Sequence, residues 1–179
     1  VLLAAAALLL SALSPGVVLQ AAGEKRVVDV ITVSEVITPP IGEYIVKSIR
    51  QAAESGTEAI VIQLDTPGGL DLSMRDIIKE CLNGTVPVVV YVSPSGARAA
   101  SAGVLITISA HVAAMAPGTN IGAAHPVAMG IGKADETMME KVENDAVAYG
   151  RGIAEQKGRN ADWIEEAIRK SVSVTAEEA

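Results

Sequence analysis

The sequence AIVIQLDTPGG occupies positions 59–69 and sets the pattern for the rest of the chain. Its first six residues are almost entirely apolar, which predicts a buried strand. The glycine pair Gly68-Gly69 then predicts a tight turn, because glycine adopts backbone conformations that are closed to other residues. A helix is predicted from about Asp71 to Asn83, with these side chains facing inward: Met74, Ile77, Ile78 and Cys81.

The same alternation of strand and helix continues on both sides of this stretch. Apolar runs at 27–33 and 86–92 predict two further buried strands, the second of them covered on both faces of a parallel sheet. Further helices are predicted at 39–56, 99–110, 136–157 and around 163–168, further strands at 111–116 and 172–174, and a turn at 117–122. The 136–157 helix is predicted to present one apolar face, made of Met138, Val142, Ala146, Tyr149 and Ile153. Alternating strands and helices predict an α/β fold with a mostly parallel sheet.

Composition excludes several classes of function. The chain has 179 residues, 50% of them hydrophobic, and a net charge of −7. A nucleic-acid partner is not expected, because binding to a phosphate backbone requires clustered Lys and Arg. Two histidines and one cysteine are too few for a typical zinc site, so no metal and no other cofactor is predicted.

The first residues resemble a targeting segment. Positions 1–23 are mainly apolar and end in small residues just before the first charge at Glu24, as at the end of a secretory signal. We expect a signal peptide at 1–23, truncated at its start, and a single folded domain at 24–179 that is truncated at its C-terminal end. The alternative is an uncleaved membrane anchor, although polar and proline breaks leave the apolar run shorter than the roughly 20 residues that a span requires. Either reading implies export.

A candidate nucleophile lies among small residues at 99–103, where the sequence is AASAG and a buried helix is expected to begin. Small neighbours leave room for a peptide to approach the hydroxyl of Ser101. A helix N-terminus offers free N–H groups to an oxyanion, and Gly68 and Gly69 would offer more without a Cβ in the way. The simpler alternative is that Ser101 only caps a helix and that the two glycines form an ordinary turn.

A serine nucleophile needs a base, and the chain offers His125, Lys133 and Lys141. A lysine acts as a base only when it is neutral, so it has to be partly buried beside the serine. Lys141 lies next to the apolar face of a predicted helix, whereas Lys133 lies in a glycine-containing loop. This favours Lys141 as the base, although an exposed lysine paired with Glu140 or Asp145 fits the pattern equally well.

Together these motifs resemble the N-terminal protease domain of NfeD-type membrane proteins, a membrane-bound class of ClpP-like serine protease. The resemblance runs from about Arg26 to Ala179 and rests on LDTPGG at 64–69, AASAG at 99–103, GTNIGAAHP at 118–126 and KVEND at 141–145. It implies a crotonase/ClpP-like fold of repeated ββα units and a serine endopeptidase. The site residues it implies are a catalytic dyad of Ser101 and Lys141, and an oxyanion hole made by Gly68 or Gly69 with the N–H of Ala102.

The resemblance also implies a setting for the domain. Family members are dimers or larger, and they are associated with cutting apolar segments of stomatin-like membrane proteins. We therefore expect a homodimer with a stomatin-like substrate or partner, attached to the membrane through missing C-terminal helices, with its protease domain periplasmic or extracytoplasmic. A small β-barrel domain is expected after those helices. We further expect an apolar substrate groove formed by Leu70, Val104 and the loop from Pro126 to Ile131, with His125 lining the cleft.

Alternatives to this reading remain open. His125 follows Ser101 by 24 residues, a spacing close to that in soluble ClpP, so a histidine base is possible. A signal-peptide-peptidase-like protease is expected to share the fold, whereas export argues against an acyl-CoA hydratase. The chain would also suit a non-catalytic scaffold for a stomatin-like membrane assembly.

Overall fold

The computed structural model describes residues 26–127 and 135–179. The expected signal peptide at 1–23 and the candidate Lys133 therefore lie outside the described residues. Within the described ranges the strands are β1 (Val28–Val33), β2 (Ala59–Leu64), β3 (Val88–Val92), β4 (Arg98–Ala100), β5 (Val112–Met115), β6 (Asn120–Gly122) and β7 (Ser173–Thr175). The helices are α1 (Pro39–Glu54), α2 (Asp71–Asn83), α3 (Ala102–Ser109), α4 (Glu136–Gln156) and α5 (Ala161–Arg169).

A four-stranded parallel sheet in the order β1-β2-β3-β5 forms the centre of the fold. Ile62 in β2 pairs with Ile31 on one side and with Val90 on the other. Side chains alternate across the pleat, so every second residue of β2 and β3 is buried in the core with the apolar faces of the helices. The predicted helix at 71–83 is confirmed, and its four predicted inward side chains are all buried.

A second, three-stranded sheet carries the loops that concern function. Its order is β4-β6-β7, with β4 parallel to β6 and β7 antiparallel to β6. An isolated bridge between Thr66 and Ala99 joins the loop after β2 to β4. The successions β3-β4-α3 and β5-β6-α4 are ββα units, which confirms the predicted α/β architecture.

Three local predictions were wrong in part. The strand at 27–33 is an edge strand, and Val28 and Val30 are more than half exposed because no described strand or helix covers that face. Residues 98–100 form β4 rather than the start of a helix, so α3 begins only at Ala102. The turn predicted at 117–122 ends in β6, because Ile121 pairs with Ala99 across the second sheet. Short strands of this kind depend on distant partners and leave almost no local pattern.

The long helix at 136–157 is confirmed as α4, but its predicted apolar face is only half correct. Buried side chains in α4 begin at Val147 and include Ile153 and Ala154. Met138 and Val142 are exposed instead, because the first half of α4 lies beside an open cleft and not on the core. None of the helices among the described residues is long and apolar enough to cross a bilayer.

Candidate active site

Ser101 is held in an unusual backbone conformation between β4 and α3. Its φ is 53° and its ψ is −118°, a region that residues other than glycine rarely occupy. Such a conformation costs about 1–3 kcal/mol and persists only where the surrounding structure fixes it. Here the Ser101 N–H donates to the carbonyl of Gly122 at 3.1 Å, and α3 behind it is buried along its whole length. The sharp turn leaves the serine side chain partly exposed at the helix N-terminus.

Gly68 lies directly against this serine. A Cβ at Gly68 would stand 2.5 Å from the Cβ of Ser101 and 3.0 Å from its Oγ. The φ of Gly68 is +113°, which also favours glycine. Only a residue without a side chain can therefore bring this loop so close to the serine hydroxyl.

Two backbone N–H groups beside Ser101 have no acceptor among the described residues, those of Gly69 and Ala102. The N–H of Gly68 is already used, because it donates to Oγ1 of the fully buried Thr66 at 3.1 Å. Gly69 is packed against Ile37, whose carbonyl oxygen would lie 2.2 Å from a Cβ at position 69. The donors of Gly69 and Ala102, two residues that line the same cleft as Ser101, therefore remain without an acceptor in the described part of the chain.

A cleft of about 580 Å³ opens in front of Ser101. Its lining includes the loop residues Gly69 and Leu70, and it extends to Lys141 on α4. The remaining lining residues are Asp71, Met74, Arg75, Ala102, Leu105, Ala124, Pro126, Val127, Val142, Asp145 and Ala146. The serine and the lysine singled out from the sequence, 40 positions apart, therefore share one cleft.

Lys141 is exposed at the edge of the cleft, so the expectation that it is partly buried was wrong for the single chain. The reason is the position of its helix, whose first half extends past the core. In the described part of the chain Lys141 forms no ion pair, and it makes no hydrogen bond to Ser101. Asp145, one of its two expected partners, binds Arg75 instead.

Two residues expected in the substrate groove lie elsewhere. Nδ1 of His125 is 3.0 Å from the carbonyl oxygen of Ile168, and His125 does not line the cleft. Side chains alternate along this extended segment, so its neighbours Ala124 and Pro126 face the cleft and His125 faces α5.

The second residue that does not line the groove is Val104, and the helical phase of α3 explains why. Val104 is completely buried and does not line the cleft, whereas Leu105 does. Residues three apart share a face of a helix, so Leu105 lies on the same side as Ala102 and Val104 points into the core. Leu70 lines the cleft as expected, and so do Pro126 and Val127, the described part of the expected loop.

Sequence reasoning missed four charged or flexible residues of the cleft. Asp71, Met74, Arg75 and Asp145 all line it. Met74 was assigned to the core, where it also belongs, since it is buried. Asp71 and Arg75 stand four residues apart on α2, and this spacing is a signal for a helix ion pair, which the structure contains at 2.8 Å.

Comparison with known proteins identifies the family of the chain. The family model described as NfeD1b, N-terminal domain, matches residues 27–179. The chain belongs to this family. Among NfeD1b relatives, the membrane-bound protease PH1510 of Pyrococcus horikoshii is 40% identical over 158 residues, which cover 87% of this chain and 35% of the relative. Membrane protein NfeD1b of Bacillus subtilis is 34% identical over 141 residues, covering 76% and 31%. The chain thus spans about a third of the length of these relatives.

Solved structures show the same relationship. The 1510-N membrane-bound stomatin-specific protease, in a variant with one serine replaced by alanine, matches with a TM-score of 0.79 and 39% identity. The match covers 87% of this chain and 75% of that one. A second variant, with a lysine replaced by alanine and a substrate peptide bound, matches with a TM-score of 0.80, 38% identity and coverage of 87% and 72%. ClpP1 of Listeria monocytogenes matches at 0.67 with 18% identity, covering 84% of each chain. This NfeD1b domain therefore has a ClpP-like fold.

Proposed function

We propose that this domain is a serine endopeptidase in which Ser101 is the nucleophile and Lys141 the general base. One observation carries the proposal. A strained serine at a helix N-terminus shares one cleft with a lysine and with Gly69 and Ala102, whose N–H groups have no acceptor among the described residues. Strained backbone and unpaired donors are costly, and their combination around a single hydroxyl is typical of a site built for acyl transfer.

Each group has a defined part in the reaction. Neutral Lys141 takes the proton of the Ser101 hydroxyl as Oγ attacks the peptide carbonyl carbon. The carbonyl oxygen becomes an oxyanion that accepts hydrogen bonds from the N–H groups of Gly69 and Ala102. The lysine ammonium then protonates the leaving amine, and the acyl-serine ester remains. A water molecule then gives a proton to the Lys141 amine and attacks the ester carbonyl; the bond from the acyl carbon to Oγ breaks, and the ammonium returns the proton to Oγ of Ser101.

The substrate helps to complete this site. Lys141 lies at the edge of the cleft, so an extended peptide in front of Ser101 would cover the lysine and exclude water from it. Removal from water favours the uncharged amine that the reaction requires. The geometry of the free chain is therefore that of an open site, in which the base is brought up to the serine as the peptide binds.

The relatives support the same pair of residues. The 1510-N protease has been solved with one serine and with one lysine replaced by alanine, and the latter variant holds a substrate peptide. The separation of those two positions is one residue longer than that of Ser101 and Lys141. A serine and a lysine replaced in a relative of this similarity, at nearly this spacing, are natural candidates for the dyad here.

We further propose that the substrate is an apolar segment of a stomatin-like membrane protein. Leu70, Met74, Leu105 and Val142 contribute apolar surface to the cleft. The 1510-N protease is described as stomatin-specific. A homodimer, attached to the membrane beyond this domain and acting on the extracytoplasmic side, is the setting that fits a membrane-bound relative.

Two glycines provide a test that separates proteolysis from a scaffold role. Gly68→Ala places a methyl group against Ser101, whereas Gly96→Ala places one at a position of φ +90° with nothing within 4 Å. Both variants carry the strain of a side chain at positive φ. We expect Gly68→Ala to lower the rate of peptide cleavage by roughly 10²-fold, as misplacement near a reacting group does. Gly96→Ala should remain close to the wild type.

Cleavage is measured with a quenched peptide that has an apolar centre. Reaction of the protein with a fluorophosphonate label is measured separately, and melting temperatures are recorded for both variants. A second peptide with Asp and Lys at its centre should be cut more slowly if the cleft selects apolar segments. Wild-type protein that neither cuts nor takes the label would support the scaffold instead. Equal rates for the two glycine variants would show that the cutting site lies elsewhere.

A further inference from the structure

The half of α4 that carries Lys141 makes little contact with the core. Buried side chains of α4 begin at Val147, while Met138 and Val142 are exposed. The packing of its own turn therefore does not hold Lys141 in place. A base that works through proximity has to be fixed by contacts elsewhere on its helix, because small displacements from a reacting geometry are costly.

Two arginines hold the turn of α4 that follows Lys141. Arg75 of α2 binds Asp145, and Arg169 of α5 binds Glu143 at 2.7 Å. The first of these contacts lies on the cleft, since both Arg75 and Asp145 line it, whereas Arg169 does not. Arg75 therefore joins the helix of the base to α2, which begins just after the Gly68-Gly69 loop.

Arg75 makes three contacts at once. Besides binding Asp145, its Nε donates to Asp71 at 2.8 Å, and its guanidinium carbon lies 4.3 Å from the centre of the Tyr149 ring. Asp145 and Tyr149 are one turn apart on α4, so the arginine contacts two successive turns of that helix. Asp71 is the first residue of α2 and follows the loop of Gly68 and Gly69 closely.

These contacts indicate a fixed group and not a free binding site for a substrate carboxylate. Two carboxylates already neutralise the arginine, and an aromatic ring covers it, while its side chain is only 24% exposed. A planar guanidinium can bind two partners and stack on a ring simultaneously, which the ammonium of lysine cannot do. Arg75 is thus suited to fix the angle between α2 and α4.

We propose that Arg75 is a positioning residue that fixes the part of α4 carrying Lys141 beside the cleft of Ser101, by binding Asp145 and Tyr149. The proposal rests on the function proposed above, in which Lys141 is the base. Arg75 itself touches no reacting atom. Its removal should therefore act through the lysine and slow the chemical step, with little effect on peptide binding.

The test measures kcat and KM for peptide cleavage in Arg75→Ala, Asp145→Ala and the double variant. We expect each single change to lower kcat by about 10- to 30-fold with KM changed less than about 3-fold, which is the cost of a displaced catalytic group. The double variant should be no slower than the slower single variant, because both changes break one contact. Arg75→Lys, which keeps the charge but loses the second partner and the ring, should fall between the wild type and Arg75→Ala.

A matched control is available on the other side of α2. Arg50 of α1 bridges to Glu80 of α2 at 2.8 Å and is remote from the cleft, so Arg50→Ala breaks a comparable link between helices. It should leave kcat near the wild-type value. In the Lys141→Ala background, Arg75→Ala should change the rate of fluorophosphonate labelling less than about 2-fold, since the group it positions is absent.

The outcomes separate this inference from the proposed function. An active wild type with unchanged kcat in Arg75→Ala would overturn the positioning role alone. Equal losses in Arg75→Ala with and without Lys141 would also overturn it, because a general loss of structure has that signature. A rise in KM at constant kcat would make Arg75 a substrate contact. Inactivity of the wild-type protein itself would refute the proposed function.

Discussion

Replacing Ser101 by alanine is expected to remove all fluorophosphonate labelling and to lower peptide cleavage by about 10⁴-fold or more, as loss of a covalent nucleophile does. Ser101 is the sole hydroxyl or thiol among the described residues that line the cleft, so no neighbour can take over its role. The serine hydroxyl accepts and donates no hydrogen bond within the described residues, so the fold should survive its loss.

Two further variants serve as controls for this result. Ser95→Ala removes a hydroxyl from an exposed loop and should leave the activity unchanged. Ser101→Gly should be as inactive as Ser101→Ala yet more stable by about 1 kcal/mol, because glycine relieves the strain of a positive φ. Substantial labelling of Ser101→Ala would mean that another residue is the nucleophile.

Replacing Lys141 by alanine is expected to lower kcat/KM by about 10³-fold, since nucleophile and base act as a unit. The remaining rate would come from the N–H groups of Gly69 and Ala102, which still stabilise the oxyanion. Lys47→Ala is a suitable control, because Lys47 forms an exposed ion pair on α1 and does not line the cleft. Its activity should match the wild type.

His125→Ala provides the contrast for the base. The His125 ring is bound to the carbonyl of Ile168 and lies outside the cleft, so its loss should affect stability and leave activity within about 3-fold. The stability cost should be about 1 kcal/mol, the usual net value of one hydrogen bond. The reverse outcome, an inactive His125→Ala and an active Lys141→Ala, would assign the base to histidine and refute the dyad.

The parts of the fold that the sequence predicts are those whose signals are local. The strand at 59–64, the helix at 71–83 and the glycine turn between them all carry their own apolar spacing or turn residues, and each is present. The short strands β4 and β6 have only three residues each and exist because they pair with one another. The exposed edge of β1 depends in the same way on sheet order, which periodicity does not specify.

The candidate site shows the same division. Ser101 and the glycine pair could be found because each belongs to a compact motif at a predicted turn. The groove residue predicted on α3 was Val104, whereas the structure has Leu105 there. Choosing correctly between these neighbours requires the first residue of α3 to be known exactly, and helix boundaries are the least certain part of such a prediction. Arg75 and Asp145 are 70 positions apart, so only the packing of α2 beside α4 reveals that they bind.

A structure of the domain with a peptidyl phosphonate bound covalently to Ser101 would test most directly whether Ser101 and Lys141 form a catalytic dyad. We expect the phosphonyl oxygen to lie about 2.7–3.1 Å from the nitrogens of Gly69 and Ala102, the distance range of an oxyanion hole. The Nζ of Lys141 should lie about 3 Å from Oγ of Ser101, within hydrogen-bond reach. If Lys141 still points into solvent in that complex and another side chain contacts Oγ, Lys141 is not the base.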